Sequence, residues 1–359
     1  MDHSVLLHST GDARCDAIVL DVLTAFDEHF PGRLLSCYLR GSRATGAAVE
    51  GSDLDLLIIF TDRFSGMEEF ERARAVCESL ARTSPILLEV MLIGENRLYD
   101  ETALDAALDV KLNCLPLFGS DIRALLPEFD ATTYVRNVIH TPYYSYSAPV
   151  QRSSRIEYPL DHIEPASEFF GFDQWLIPDP RLGDVPSTKL LVATVGWTAT
   201  ALVARHAGVY VPNKAASAAM YASLIGDSWT PLVVDVQEWC RNRWHYLIPD
   251  ADADAERAIL RQLCDDALDF QNHFLRVYRD DALGELASGD PGRRLLAAER
   301  LGQITYPPGP SGRARTRGRP QCHPGRMIAE PHMRRPRTTT KGFRVLRKPF
   351  VCTGRDDRI

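Results

Sequence analysis

The chain of 359 residues carries 41 basic and 48 acidic residues, a net charge of −7, and is 45% hydrophobic and 25% charged. That balance provides enough apolar mass for a core and excludes a collagen-like, wholly disordered or disulfide-scaffold chain. No run of about 18 apolar residues suggests a membrane span, and the opening MDHSVLLHSTGDARCD lacks the basic region and apolar stretch of a secretory leader, so a cytoplasmic location is expected.

The charge is unevenly spread. From Tyr306 to Ile359 there are 14 basic against 3 acidic residues, or +11, which leaves 27 against 45, or −18, for the first 305. A body so acidic is a poor binder of nucleic acid and a good one of cations, whether divalent metals or cationic small molecules. The eight cysteines are scattered and none forms a C-x-x-C pair, so zinc and redox motifs are not indicated.

In chain order, Asp12 to His29 has helical periodicity, with Ile18, Val19, Val22, Leu23 and Phe26 on one face, and Pro31-Gly32 ends it. Leu34 to Arg40 reads as a buried strand entering a Gly-Ser turn. After a polar loop, Leu54 to Phe60 reads as a central strand, Gly66 to Arg82 as a charged helix and Ile86 to Ile93 as a third strand. This is an α/β pattern with a small sheet. Phe118 to Asp130 reads as a domain exit. Tyr134 to Trp175 is irregular and rich in aromatic residues. Helical patterns then cover about Thr188 to Ala207, Lys214 to Ile225, Thr230 to Trp244 and Ala253 to Tyr278. The expected organisation is an α/β domain over 1–130, an aromatic-rich connecting segment over 131–187, an all-α domain over 188–305 and a disordered basic tail over 306–359. The tail's Pro, Gly and Arg cannot bury enough apolar surface to fold.

The residues that carry chemistry begin at Gly41-Ser42. After a ten-residue spacer, Arg43 to Ser52, come Asp53-Leu54-Asp55, opening the second strand. Alternate strand residues share a face, so Asp53 and Asp55 project together while Leu54 turns into the core. Two carboxylates held so close require a cation, and a hard divalent ion such as Mg2+ suits oxygen ligands. A Gly-Ser turn beside them offers backbone N–H groups and a hydroxyl to a phosphate. Glu89 sits inside the apolar run ILLEVMLI. It either faces solvent or, if its strand lies beside the second one, joins the acids as a ligand or as a proton acceptor. Ser52 is either a structural cap or a ligand.

The segment GSRATGAAVEGSDLDLLIIF resembles the signature of the polymerase-β-type nucleotidyltransferase superfamily. Leu88-Glu89-Val90 and the stretch Gly208 to Trp239 are similar to the aminoglycoside adenylyltransferases that act on streptomycin and spectinomycin. The resemblance covers about Leu34 to Trp244. It implies a nucleotidyltransferase domain with a small mixed sheet, followed by a helical domain that closes the cleft. It further implies two Mg2+ ions held by Asp53, Asp55 and Glu89, and ATP seated on Gly41, Ser42 and Ser52 with Lys214 on its phosphates. The reaction would be adenylyl transfer to a hydroxyl of a small cationic acceptor, with antibiotic resistance as its consequence. The chain departs from the family where Thr200-Ala201 replaces an arginine, where Trp239-Cys240 replaces a tyrosine, and in the length of Tyr134 to Pro186. Acidic and aromatic residues in that segment (Asp161, Glu164, Glu168, Asp173 and Asp184 among them) are either an acceptor wall or ordinary core and surface. Arg241 to His245 only loosely resembles the Arg-Asn…His motif of HEPN ribonucleases, and its spacing is too short. Two alternatives stand beside the main reading: a nucleotidyltransferase acting on a protein or tRNA, and a nucleotide-binding protein without catalysis.

Overall fold

The computed structural model describes residues 6–100, 104–128, 130–147, 155–179 and 182–307. Helix α1 (Ala13–His29) starts where the Asp12 side chain accepts the Arg14 N–H. Strands β1 (Leu34–Arg40), β2 (Leu54–Phe60), β3 (Leu88–Gly94) and β4 (Leu115–Gly119) form one sheet in the order β3-β2-β1-β4. β2 and β3 are parallel, and β1 is antiparallel to both its neighbours, which makes the sheet mixed. Between them lie α2 (Gly41–Ala44), α3 (Met67–Thr83) and α4 (Leu104–Asn113).

The period of two along the strands decides which residues become core and which become site. Leu54, Leu56, Ile58 and Phe60 of β2, with Leu88, Val90 and Leu92 of β3, pack under α1 and α3. Leu57, Ile59, Met91 and Tyr38 fill the opposite face with Ala107 and Val110 of α4. Asp55 and Glu89 lie on that second face, at the N-terminal ends of β2 and β3.

The rest of the described chain folds around a second core. It contains α5 (Ala131–Val138), α6 (Lys189–Ala207), α7 (Lys214–Leu224), α8 (Thr230–Asp235), α9 (Asp254–Leu286) and α10 (Pro291–Gly302). A π-helical turn, Val236–Arg243, continues α8. Two small β elements join this helical half: the pair β5 (Ile156–Glu157) and β8 (Ile304–Thr305), and the hairpin of β6 (Trp175–Asp179) and β7 (Gly183–Ser187). Helix α6 is its axis, with residues from Leu190 to Ala204 almost all buried. Among the described residues it is the one helix long and apolar enough to cross a membrane, but 78% of that window is buried inside the fold. Tyr143, Phe169, Phe172 and Trp175 are buried in this core. Of the connecting segment's aromatic residues these four thus join the interior, while Tyr144 is exposed. Of the expected acceptor acids there, Glu168 is paired with Arg257.

Several sequence expectations need correction. Leu115–Gly119, which overlaps the start of the expected domain exit, is a fourth strand: it is short, and only its pairing with β1 at the sheet edge makes it one. The Gly-Ser turn is a four-residue helix, α2. Pro291–Gly302 is a helix beyond the last helical pattern of the sequence; Asp290 caps it by accepting the Gly292 and Arg293 N–H groups. The basic tail, read as beginning at residue 306, lies outside the described residues from 308 on.

Because Leu56 is fully buried in the core under α1 and α3, Leu56→Ala should destabilise the fold by about 2–5 kcal/mol. Urea unfolding would measure this.

Candidate active site

Asp55 pairs directly with Glu89 across the parallel β2–β3 ladder and with Arg40 across the antiparallel β1–β2 ladder. Direct cross-strand partners share a face, so one row across three strands reads Arg40, Asp55, Glu89. Asp53, two residues before Asp55, completes the group. Carboxylate oxygens of Asp53, Asp55 and Glu89 all lie within 4.8 Å of one another, and each residue is half-buried, so the cluster opens to solvent. The structure thus brings together the three acids that the sequence singled out.

Gly41 sits where β1 ends, with φ +68, in the left-handed region that glycine enters without cost. A Cβ at this position would collide with Asp55 Oδ2. Glycine is therefore required twice, by the backbone turn and by the closeness of the carboxylate. Ser42 follows in α2, on the same edge of the sheet. Arg43, which sequence reasoning passed over although it adjoins Gly-Ser, ties this turn to the acids. Its Nε donates to Asp53 O (3.1 Å) and its Nη2 to Ser52 O (3.0 Å). Ser52 is buried, and its Oγ accepts the Val49 N–H at 2.9 Å, so the cap alternative accounts for its position.

Two cations flank the acids. Arg40 is clamped by Asp109 of α4, at 3.1 Å from Nε and 3.0 Å from Nη2. Burial works against its charge, but Asp109 foremost, with Asp55 and Glu89, raises its pKa above the ordinary arginine value. The second cation comes from the helical half. Lys189, first residue of α6, is 5% exposed and places Nζ 3.4 Å from Asp53 Oδ1 and 4.8 Å from the centre of the Tyr246 ring. The signal in the sequence was a single charge heading a long apolar helix; nothing in the sequence connects it with Asp53. Lys214, expected at the phosphates, starts α7 with its stem against Gly196 of α6.

The helical half also grips the loop that delivers Asp53. Arg241 Nη2 donates to Ala47 O, and its Nε donates to the Tyr246 hydroxyl at 2.9 Å. Arg241 is thus a strut between the two halves. Gly51 has φ +76, and a Cβ on it would come within 2.7 Å of His245 O. His245 and Tyr246 themselves have φ +48 and +70. Consecutive left-handed residues other than glycine are costly and persist only where surrounding contacts impose them. Here those contacts are the Arg241 bond to the Tyr246 hydroxyl, Thr188 N–H to Tyr246 O at 2.7 Å and Tyr246 N–H to Cys240 O at 2.8 Å.

Three oxygen donors at this spacing fit a small hard cation. Monodentate carboxylates are the donor type that Mg2+ takes alongside substrate phosphates.

Residues 20–105 match the nucleotidyltransferase domain family. The span includes the Gly-Ser turn and all three acids, and the chain carries the domain of a nucleotidyl-transfer enzyme. No curated protein sequence matches the chain. Among solved structures it is similar to spectinomycin adenyltransferase AAD(9) from Enterococcus faecialis, crystallised with ATP and spectinomycin, at 10% identity and a TM-score of 0.42, over 69% of this chain and 98% of that one.

Gly41→Ala tests the close packing of turn and carboxylate. Displacing Asp55 should lower transfer activity by on the order of 100-fold, while the melting temperature moves by only a few degrees. An alanine variant with full turnover would show that Asp55 has room to spare.

Proposed function

We propose that the protein transfers an adenylyl group from ATP to a hydroxyl of a small, cationic acceptor of the aminoglycoside kind. The observation that carries this reading is the convergence of Asp53, Asp55 and Glu89 beside the Gly41-Ser42 turn inside a nucleotidyltransferase domain. The donor and acceptor classes rest on the resemblance of the Gly-Ser, Asp-x-Asp and Leu-Glu-Val motifs to the aminoglycoside adenylyltransferases. The −18 charge of the first 305 residues agrees with a cationic acceptor.

Asp53, Asp55 and Glu89 would hold the metal, with Mg2+ as the natural ion. When bound, it neutralises charge on the triphosphate and on the transition state. The Gly41-Ser42 turn presents N–H groups and the Ser42 hydroxyl to phosphate oxygens, close to the acids because residue 41 has no side chain. Glu89, on the strand next to Asp55, accepts the proton of the acceptor hydroxyl as its oxygen attacks the α-phosphorus. The bond from the α-phosphorus to the bridging oxygen breaks, and pyrophosphate leaves with the electron pair. Arg43 fixes the carbonyls of Ser52 and Asp53, so the Asp53 carboxylate stays in register with Asp55. Positioning and charge neutralisation supply most of the acceleration. Lys214 is assigned to the departing phosphates on the resemblance alone. A cytoplasmic location accords with ATP as donor; among the described residues no cysteine forms a disulfide.

Purified protein with Mg2+ and ATP, screened against aminoglycosides and other hydroxylated amines, should release pyrophosphate and add one adenylyl mass to an acceptor. Asp53→Asn and Asp55→Asn should each abolish the mass gain, and Glu89→Gln should slow it by about 10²–10⁴-fold, all with the melting temperature retained. Full turnover in the Asp53→Asn/Asp55→Asn double variant would refute the reading. A mass gain on protein or tRNA alone would keep the chemistry and change the acceptor.

A further inference from the structure

Between α2 and β2, residues 45–53 form no regular element, yet this segment joins the Gly41-Ser42 turn to the Asp53 carboxylate. Short-range bonds fold it back on itself. Ala47 N–H donates to Ser42 O at 2.8 Å, Ser52 N–H to Val49 O at 3.0 Å and Val49 N–H to Ser52 Oγ at 2.9 Å. Further anchoring comes from the helical half. Val49 packs against the helical core, Gly51 leaves no room for a Cβ beside His245 O, and Ala47 O accepts a bond from Arg241 Nη2. Ala47 is thus held on both sides, by the Ser42 carbonyl at its N–H and by Arg241 at its own carbonyl.

Arg241 is buried, and its guanidinium donates to two neutral oxygens, the Ala47 carbonyl and the Tyr246 hydroxyl. Stability alone does not favour a guanidinium there, because burying its charge against neutral acceptors costs more than burying an apolar side chain of similar length. What the guanidinium supplies is direction. It is a planar fork, so fixing Nε on the Tyr246 hydroxyl also fixes where Nη2 points. Tyr246 is itself held at both backbone groups, its carbonyl by Thr188 N–H and its N–H by Cys240 O. The Ala47 carbonyl is therefore tied to a rigid part of the helical half.

We propose that Arg241 is a positioning residue of the acid cluster: by fixing the Ala47 carbonyl it sets where Asp53 stands relative to Ser42 and to the other two acids. This rests on the reading of Asp53, Asp55 and Glu89 as metal ligands given above. Asp55 and Glu89 are held by the β2–β3 ladder. Asp53 precedes the first residue of β2, and the course of the loop decides how its carboxylate approaches them. Arg241 thus acts on one ligand of the three, from a place outside the cluster.

The test compares the full wild-type chain with Arg241→Met and Tyr246→Phe. Mn2+ affinity is read without nucleotide by electron paramagnetic resonance, and backbone protection by hydrogen-exchange mass spectrometry. Tyr246→Phe removes the hydroxyl that orients the guanidinium and keeps the ring. In Arg241→Met, peptides covering residues 43–53 should exchange about tenfold faster, while those of α6 and α9 exchange as in wild type. Mn2+ should bind about tenfold more weakly, the usual scale for a partner that orients a metal ligand. The melting temperature should stay within a few degrees. Tyr246→Phe should move exchange and affinity in the same directions by smaller factors. In an Asp53→Asn background, Arg241→Met should change the residual Mn2+ affinity by less than about twofold, because the ligand it positions is gone.

Unchanged exchange over residues 43–53, or faster exchange with unchanged Mn2+ affinity, would overturn the proposal. An equal loss of affinity in the Asp53→Asn background would overturn it too, by placing the effect elsewhere. If Arg241→Met fails to fold, Tyr246→Phe decides: wild-type exchange or wild-type affinity in that variant overturns the proposal. Wild type that binds no Mn2+ would overturn the metal reading, and the proposal with it. Mn2+ bound by wild type and lost in Asp55→Asn, but indifferent to Arg241→Met, would leave that reading intact and remove only the role of Arg241.

Discussion

Three carboxylates with oxygens within 4.8 Å repel one another, and much of the structure can be read as the means of holding them there. Apolar packing supplies the force. Leu54 and Leu56 on either side of Asp55, and Leu88 and Val90 on either side of Glu89, are buried under α1 and α3 and cannot turn outward. With those side chains fixed, the strand period turns both acids to the other face. Arg43 then holds the carbonyls of Ser52 and Asp53, and Arg40, clamped by Asp109, adds positive charge beside Asp55 and Glu89. The repulsion that remains is the property a divalent cation answers.

The helical half takes part in the same arrangement. Its strained turn at His245 and Tyr246 presses on Gly51 and seats Lys189 against Asp53, while Arg241 holds the loop at Ala47. Those contacts couple the position of Asp53 to the packing around α6. The resemblance to a known family implied a domain that closes over the cleft. The structure adds a charge from that domain, the Lys189 ammonium 3.4 Å from Asp53.

What could be read from the sequence follows from what is local. The pairing of Asp53 with Asp55, the burial of Leu54 and the strands Leu34–Arg40 and Leu54–Phe60 depend on period and composition within a few residues, and each is where the pattern placed it. Glu89 could be read only conditionally, because its neighbour depends on which strands pair; the parallel β2–β3 register meets the condition. Lys189 was not legible. Its partner lies more than a hundred residues away, and the pattern around it is that of any buried helix. The aromatic segment left two readings open, an acceptor wall or core. Composition alone does not choose between them; Tyr143, Phe169 and Trp175 join the core, because a helical half of this size needs large side chains to fill its centre.

The most direct test of the account is the structure of the full chain crystallised with Mn2+ and α,β-methylene-ATP, with diffraction recorded at the manganese edge. The account predicts anomalous density enclosed by Asp53, Asp55 and Glu89, with the triphosphate lying along Gly41-Ser42. Metal and nucleotide bound together at another place, with the three acids left to water, would contradict it.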